Sequence, residues 1–169
     1  MPIEDTRSLK PKFWDFHRHG QRPLFGRSGA HLPPAYTLDS GAWTILTIHW
    51  NLCMGTISSF LSERPDLLPL LQALERFDTC GEFLLTELGY GNLETTATLQ
   101  ADGSFVPHTP YPRAAKTMPP NSPHSGMART DVVFARLMVA GEDHSVRPFM
   151  VPLNDASGAM CRSIACRTT

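Results

Sequence analysis

An apolar run that begins at Phe83 ends in Thr86-Glu87, and two glycines, Gly89 and Gly91, then bracket a single residue. Glycine carries no Cβ, so a turn of this kind lets backbone approach a flat ligand closely. The Thr86 hydroxyl can both donate and accept, and with bare amides beside it could hydrogen-bond the polar edge of a heteroaromatic ring. A strand ending in a tight turn accounts for the glycines as well, because Gly is enriched in turns generally. Elsewhere the chemistry is thin. Cys161 and Cys166 are too widely spaced for a C-x-x-C redox pair. Asp15, His17 and His19 alternate in a spacing that matches no standard metal-ligand pattern, so no metal site is assigned. Glu75, Glu82 and Glu94 read as solvated or structural carboxylates, and no catalytic residue is assigned.

The elements that must position this turn change period along the chain. Residues 1–39 are rich in Pro, Gly, His and Arg, with an aromatic anchor at Phe13, Trp14 and Phe16, and read as an irregular wrap. The stretch Trp43 to Leu61 invites a membrane reading, but its Thr, Ser, His and Asn side chains are costly in hydrocarbon. Leu46, Trp50, Cys53, Ile57 and Phe60 fall at helical spacing and predict a buried helix instead. A second helix starts at Ser62–Asp66, with Asp66 as cap, Pro69 in the first turn and Leu67, Leu70, Leu71, Leu74 and Phe77 on its buried face. From Cys80 onward the alternation of Thr95, Ala97 and Leu99 predicts a strand that pairs with Phe105–His108 as a hairpin. Residues 131–140 and 146–153 predict two more strands, joined by a polar turn at residues 141–144. The expected fold class is α+β: an N-terminal α-helical segment (1–78) followed by a partial antiparallel β-barrel or sheet domain (79–169).

With 169 residues, 41% of them hydrophobic and 18% charged, the chain can bury a real core. Lys plus Arg number 15 against 16 for Asp plus Glu, so no net field favours nucleic acid or an anionic membrane surface, and neither partner is expected. The polar N-terminus MPIEDTRSLKPK does not read as a signal peptide, and four scattered cysteines suggest free thiols in a reducing, intracellular compartment.

The run FLLTELGYGNLETTATL from Phe83, together with VRPFMVPL from Val146, resembles the flavin-contacting part of the acyl-CoA oxidase and acyl-CoA dehydrogenase family, in a fungal version. The T-E-x-G-x-G followed by E-T-T-A-T is far more specific than a glycine motif alone, and the helical-then-β order matches the family's N-terminal and middle domains. The resemblance implies FAD as cofactor, contacted by Leu84, Leu85, Thr86, Gly89 and Gly91. A second segment that follows a lysine covers the flavin in the family; here it corresponds to Lys116-Thr117-Met118-Pro119-Pro120-Asn121, so Met118, Pro119, Pro120 and Asn121 are implied contacts. Proline has no N–H, so Pro119 and Pro120 can contribute only carbonyls or packing.

Two departures bear on activity. Relatives insert several residues between the Gly91 position and the E-T-T-A-T strand, where they shape the acyl-CoA entrance; here Asn92-Leu93 follows at once, which puts substrate binding at Asn92 in doubt. The family's base is a glutamate from a C-terminal helical domain, and no residue before Thr169 matches it. The expected function is therefore that of a flavin-dependent acyl-CoA oxidase or dehydrogenase, in β-oxidation or secondary metabolism, not active as this chain alone. The alternatives are a catalytically silent, truncated member serving as an interaction module or remnant, and a small cofactor-free binding domain. Acyl-CoA is the implied substrate, a homo-oligomer or a partner supplying the missing domain the implied assembly. Location is peroxisomal by resemblance, or cytoplasmic, although Cys166-Arg167-Thr168-Thr169 is not an S-K-L address.

Overall fold

A computed structural model describes residues 39–89, 91–117 and 127–166. The N-terminal wrap with its anchor at Phe13, Trp14 and Phe16, and the positions Met118, Pro119, Pro120 and Asn121, lie outside the described residues. The chain divides into two compact units, Met1–Thr44 and Ile45–Thr169. Of the first, residues 39–44 are described, where the Asp39 carboxylate accepts the Ala42 amide at 2.9 Å in the manner of a helix N-cap.

The apolar run from Trp43 is helical, as its spacing predicts, in three parts: α1 (Ser40–Thr47), a π-helical segment (Ile48–Met54) and α2 (Gly55–Phe60). The wider π turns shift the inward face relative to an unbroken α-helix. His49, Cys53, Met54 and Ile57 are buried, whereas Leu46, Trp50 and Phe60 of the expected stripe are half-buried. His49 has a polar task inside: its Nδ1 accepts the Gly81 amide at 2.8 Å, and its Nε2 lies 3.1 Å from the Leu74 carbonyl. Accepting at Nδ1 requires the proton on Nε2, so the ring is neutral and donates to Leu74; burial lowers its pKa against the pull of those two bonds.

A 3-10 turn (Pro65–Leu67) leads into α3 (Leu68–Glu75), with Pro69 in its first turn, where no helical donor is lost. Asp66 does not cap the helix as expected; it pairs with Arg64 at 2.7 Å on the surface. Leu71 and Leu74 form the buried face. Phe77, in the left-handed region at φ 58°, turns the chain back and stacks on His49 with ring centroids 4.5 Å apart.

Five strands follow: β1 (Cys80–Leu84), β2 (Thr96–Leu99), β3 (Phe105–His108), β4 (Arg129–Val139) and β5 (Glu142–Asn154). The expected hairpin β2–β3 forms and is antiparallel, with Thr96 opposite His108 and Leu99 opposite Phe105. β4 and β5 are antiparallel along nearly their whole length, and Val139 opposite Glu142 leaves only Ala140 and Gly141 in the turn. Both have positive φ, 52° and 87°, the requirement of a type I′ hairpin turn. Glu142, Asp143 and His144, expected in the turn, therefore belong to β5. The α+β class stands, but the sheet is mixed: β1 and β2 both run parallel to β4. Beneath it, Leu84, Val133 and Leu153 form a core cluster joined by Val151, Met160 and Ile164. Among the described residues no helix is long and apolar enough to cross a membrane.

Candidate functional site

β1 and β2 lie end to end along the same edge of β4. Leu84 is opposite Val133 and Thr96 opposite Arg136, so residues 85–95 connect points only three residues apart on β4. Three residues of strand cover about 10 Å. Eleven residues cannot stay in the sheet over that distance, and the T-E-x-G-x-G segment is expelled as a loop.

Glu87 organises this loop. It is 7% exposed, and its carboxylate accepts the amides of Glu94 at 2.8 Å and Thr95 at 2.9 Å and the Lys116 ammonium at 2.9 Å. Burial pushes the Glu87 pKa up, but the bonds from Thr95, Glu94 and Lys116 together outweigh it and hold the carboxyl below its ordinary value. For Lys116, burial lowers the ammonium's pKa more than the pairing with Glu87 restores. The backbone continues the same connection: the Thr117 amide donates to the Thr86 carbonyl at 3.0 Å, Leu88 to Ala115 at 3.0 Å and Gly89 to Arg113 at 2.8 Å. At the loop's exit, Arg136 Nε donates to the Leu93 carbonyl at 2.6 Å, and the Thr95 hydroxyl donates to Ala114 at 3.1 Å.

The residues singled out in the sequence fall into distinct environments. Thr86 is half-buried, and its hydroxyl has no hydrogen-bond partner among the described residues. Leu85 and Leu88, on either side of it in sequence, are 40% and 54% exposed, unusual for leucine in a pinned loop. Leu84 is 4% exposed in the core cluster, so its side chain supports the wall from beneath and does not form its face. The Gly89 amide is not bare: it is spent on Arg113, and a Cβ at Gly89 would sit 3.3 Å from the Arg113 carbonyl oxygen, so close packing within the protein already accounts for this glycine. At Gly91, by contrast, a Cβ would meet among the described residues only the Gly89 carbonyl, at 3.8 Å, and both Gly91 and Asn92 are exposed. An unpartnered hydroxyl, two exposed apolar side chains and open backbone at Gly91 fit one edge of a flat ring that is polar at its rim and apolar on its faces.

A second buried polar group lies where β1 and β4 meet the π-helical segment. Glu82 pairs with Arg129 at 2.7 Å, and next to it on β4 Asp131 is fully buried, with neither carboxylate oxygen given a close hydrogen-bond partner among the described residues. Burial, then the neighbouring Glu82, pushes Asp131 up to about 8, and burial pushes Glu82 up to about 7 against the pull of Arg129. Cys53 closes the group from the helix: a Cβ at Gly81 would run into its Sγ. Burial, followed by Asp131, also pushes its thiol well above the ordinary range. In the sequence Glu82 reads as a solvated or structural carboxylate, and the signal at Asp131 is no more than an acid opening the apolar run DVVFARLMVA. Among the described residues no cluster of three or more His, Cys, Asp or Glu could hold a metal ion.

Comparison with known proteins bears on both fold and site. No family model matches the chain. Acyl-coenzyme A oxidase 3 of Yarrowia lipolytica is 37% identical over 126 residues, covering 71% of this chain and 18% of that protein. The crystal structure of acyl-CoA oxidase 3 from Yarrowia lipolytica superposes with a TM-score of 0.69 at 30% identity, covering 98% of this chain and 25% of the other. Acyl-CoA oxidase-1 of Caenorhabditis elegans, solved in complex with FAD and ATP, gives a TM-score of 0.54 at 30% identity over 64% of this chain and 17% of its own. The chain thus spans about a fifth of the length of the curated relatives it matches.

Proposed function

The chain belongs to the acyl-CoA oxidase family, and from that premise we propose that its expelled loop forms one wall of an FAD site in a flavin-dependent acyl-CoA oxidoreductase. The observation that carries the reading is the Thr86 hydroxyl, unpartnered among the described residues and flanked by exposed Leu85 and Leu88, on a loop fixed at both ends. In this reading Thr86 hydrogen-bonds the polar rim of the ring, Leu85 and Leu88 exclude water from it, and Gly91 lets backbone approach. Leu84 supports the loop from the core, Gly89 sets its turn, Met118, Pro119, Pro120 and Asn121 cover the ring, and Asn92 borders the acyl-CoA entrance. FAD, when bound, would take the hydride as an acyl-CoA is oxidised between its α and β carbons. β-Oxidation in peroxisomes, or tailoring of a fatty chain in secondary metabolism, is the proposed setting.

A second reading, binding without turnover, is favoured by the state of the loop's carboxylates. Glu87 is engaged three times over and Glu94 is paired with Arg113 at 2.9 Å, so neither is free to take a proton from a substrate. Visible absorbance of the purified chain with and without added FAD tests the flavin reading. A retained spectrum is expected, and colourless protein after incubation with excess FAD would sink it. Adding an acyl-CoA then separates the two readings: bleaching of the bound flavin marks turnover, and an unchanged spectrum marks the silent form.

A further inference from the structure

We propose that Glu87 and Lys116 are positioning residues that lock residues 85–89 to residues 113–117, the described parts of the two segments read as flavin-facing. The inference rests on the flavin reading for its consequence, but its geometry stands independently. A loop of eleven residues closing a gap of three, with two glycines in it, has much conformational freedom to lose. Something must hold it. The backbone bonds Thr117 to Thr86, Leu88 to Ala115 and Gly89 to Arg113 tie the loop's entrance to one crossing segment, and the Thr95 hydroxyl and Glu94 carboxylate tie its exit to the same segment at Ala114 and Arg113, but none of these joins exit to entrance directly. The Glu87 carboxylate makes that tie. One oxygen accepts from Glu94 and the other from both Thr95 and Lys116, while Lys116 Nζ reaches the Leu85 carbonyl at 3.3 Å. Entrance, exit and crossing segment meet at one side chain.

This arrangement demands a carboxylate and not merely a polar group. An ionised carboxyl is acceptor-only at both oxygens, whereas glutamine replaces one of them with an NH2. Whichever way that amide is turned, its NH2 faces a donor: the Glu94 amide on one side, the Thr95 amide and the Lys116 ammonium on the other. Glu87→Gln therefore keeps the shape and breaks the tie. Lys116→Met keeps the aliphatic stem and removes the ammonium that joins the crossing segment to the loop.

The test uses the whole 169-residue chain, with FAD as the probe and two readouts. Amide hydrogen exchange of Leu88, Gly89, Glu94, Thr95 and Thr117 should accelerate in Glu87→Gln and Lys116→Met, with β4–β5 amides unchanged as the control for folding. FAD affinity, followed by flavin fluorescence, should fall about tenfold in both variants. Arg113→Ala, which removes the exposed pair with Glu94 and the guanidinium's contact with the Tyr111 ring but keeps the backbone bond to Gly89, should leave affinity within about twofold of wild type. Unchanged loop exchange in Glu87→Gln overturns the proposal, as does unchanged FAD affinity in a variant whose loop exchange has accelerated. If the wild-type chain binds no FAD, it is the flavin reading that fails, and accelerated loop exchange still supports the lock.

Discussion

Two buried carboxylates five positions apart, Glu82 and Glu87, have basic partners at nearly the same distance, 2.7 Å to Arg129 and 2.9 Å to Lys116, and yet opposite electrostatics. Glu87 sits below its ordinary pKa and Glu82 well above it, at about 7. Both have a cation, so the cation does not decide the sign. Burial raises both, and what differs is the set of donors: at Glu87 the bonds from Thr95, Glu94 and Lys116 together outweigh burial, while Oε2 of Glu82 has no partner among the described residues. A carboxylate removed from water needs donors for its lone pairs as much as it needs a counter-charge. The loop supplies those donors because it is expelled from the sheet and its amides are not consumed by a ladder.

The contrast can be broken most forcefully at Lys116. Lys116→Met leaves Glu87 buried without its cation, and the free energy of opening the loop should fall by about 3 kcal/mol, measured by exchange at Glu94 and Thr95 without a comparable change in global unfolding. Equal protection in variant and wild type would mean that the amides alone suffice. Per pH unit, a smaller effect is expected at the other group. The folded-state pKa of Asp131, about 8, is above the ordinary carboxyl value, so between about pH 4 and 8 the folded protein holds a proton that the unfolded chain has lost. Stability is full below that window and is lost as pH rises through it, by up to about 1.4 kcal/mol per pH unit for one group. Asp131→Asn should flatten that slope in urea titrations from pH 5 to 9; an unaltered slope would show that Asp131 is ionised in the fold. The smallest effect belongs to the exposed pair of the same loop. Arg113→Ala should leave the melting temperature within error, since solvent screens a pair whose arginine is 65% exposed.

Much of the fold was legible because its signals are local. Thr95, Ala97 and Leu99 alternate in sequence and pair in the structure, and the hairpins β2–β3 and β4–β5 follow from alternation and turn residues. The parallel pairing of β1 and β2 with β4 was not legible, since it joins Cys80 to Arg129 across half a domain and leaves no periodic trace. The π-helical segment was hidden for a related reason: its pattern mimics an α stripe until His49 finds Gly81 and Leu74. At the site, Thr86 could be read as an available hydroxyl from its place at the end of an apolar run. Glu87 is not legible as a lock, because Lys116 lies 29 positions away, and nothing near Gly89 in the sequence shows that its amide meets the Arg113 carbonyl.

The two-residue turn at Ala140–Gly141 has a consequence for how the molecule forms. It makes the β4–β5 register entirely local, so that hairpin closes at little entropic cost, whereas β1 and β2 must find β4 across long stretches of intervening chain. β4 is then the template on which the remaining strands assemble, and residues 85–95 take shape only after both neighbouring strands have docked. Residues 85–95 are then expected to form later than the β4–β5 hairpin.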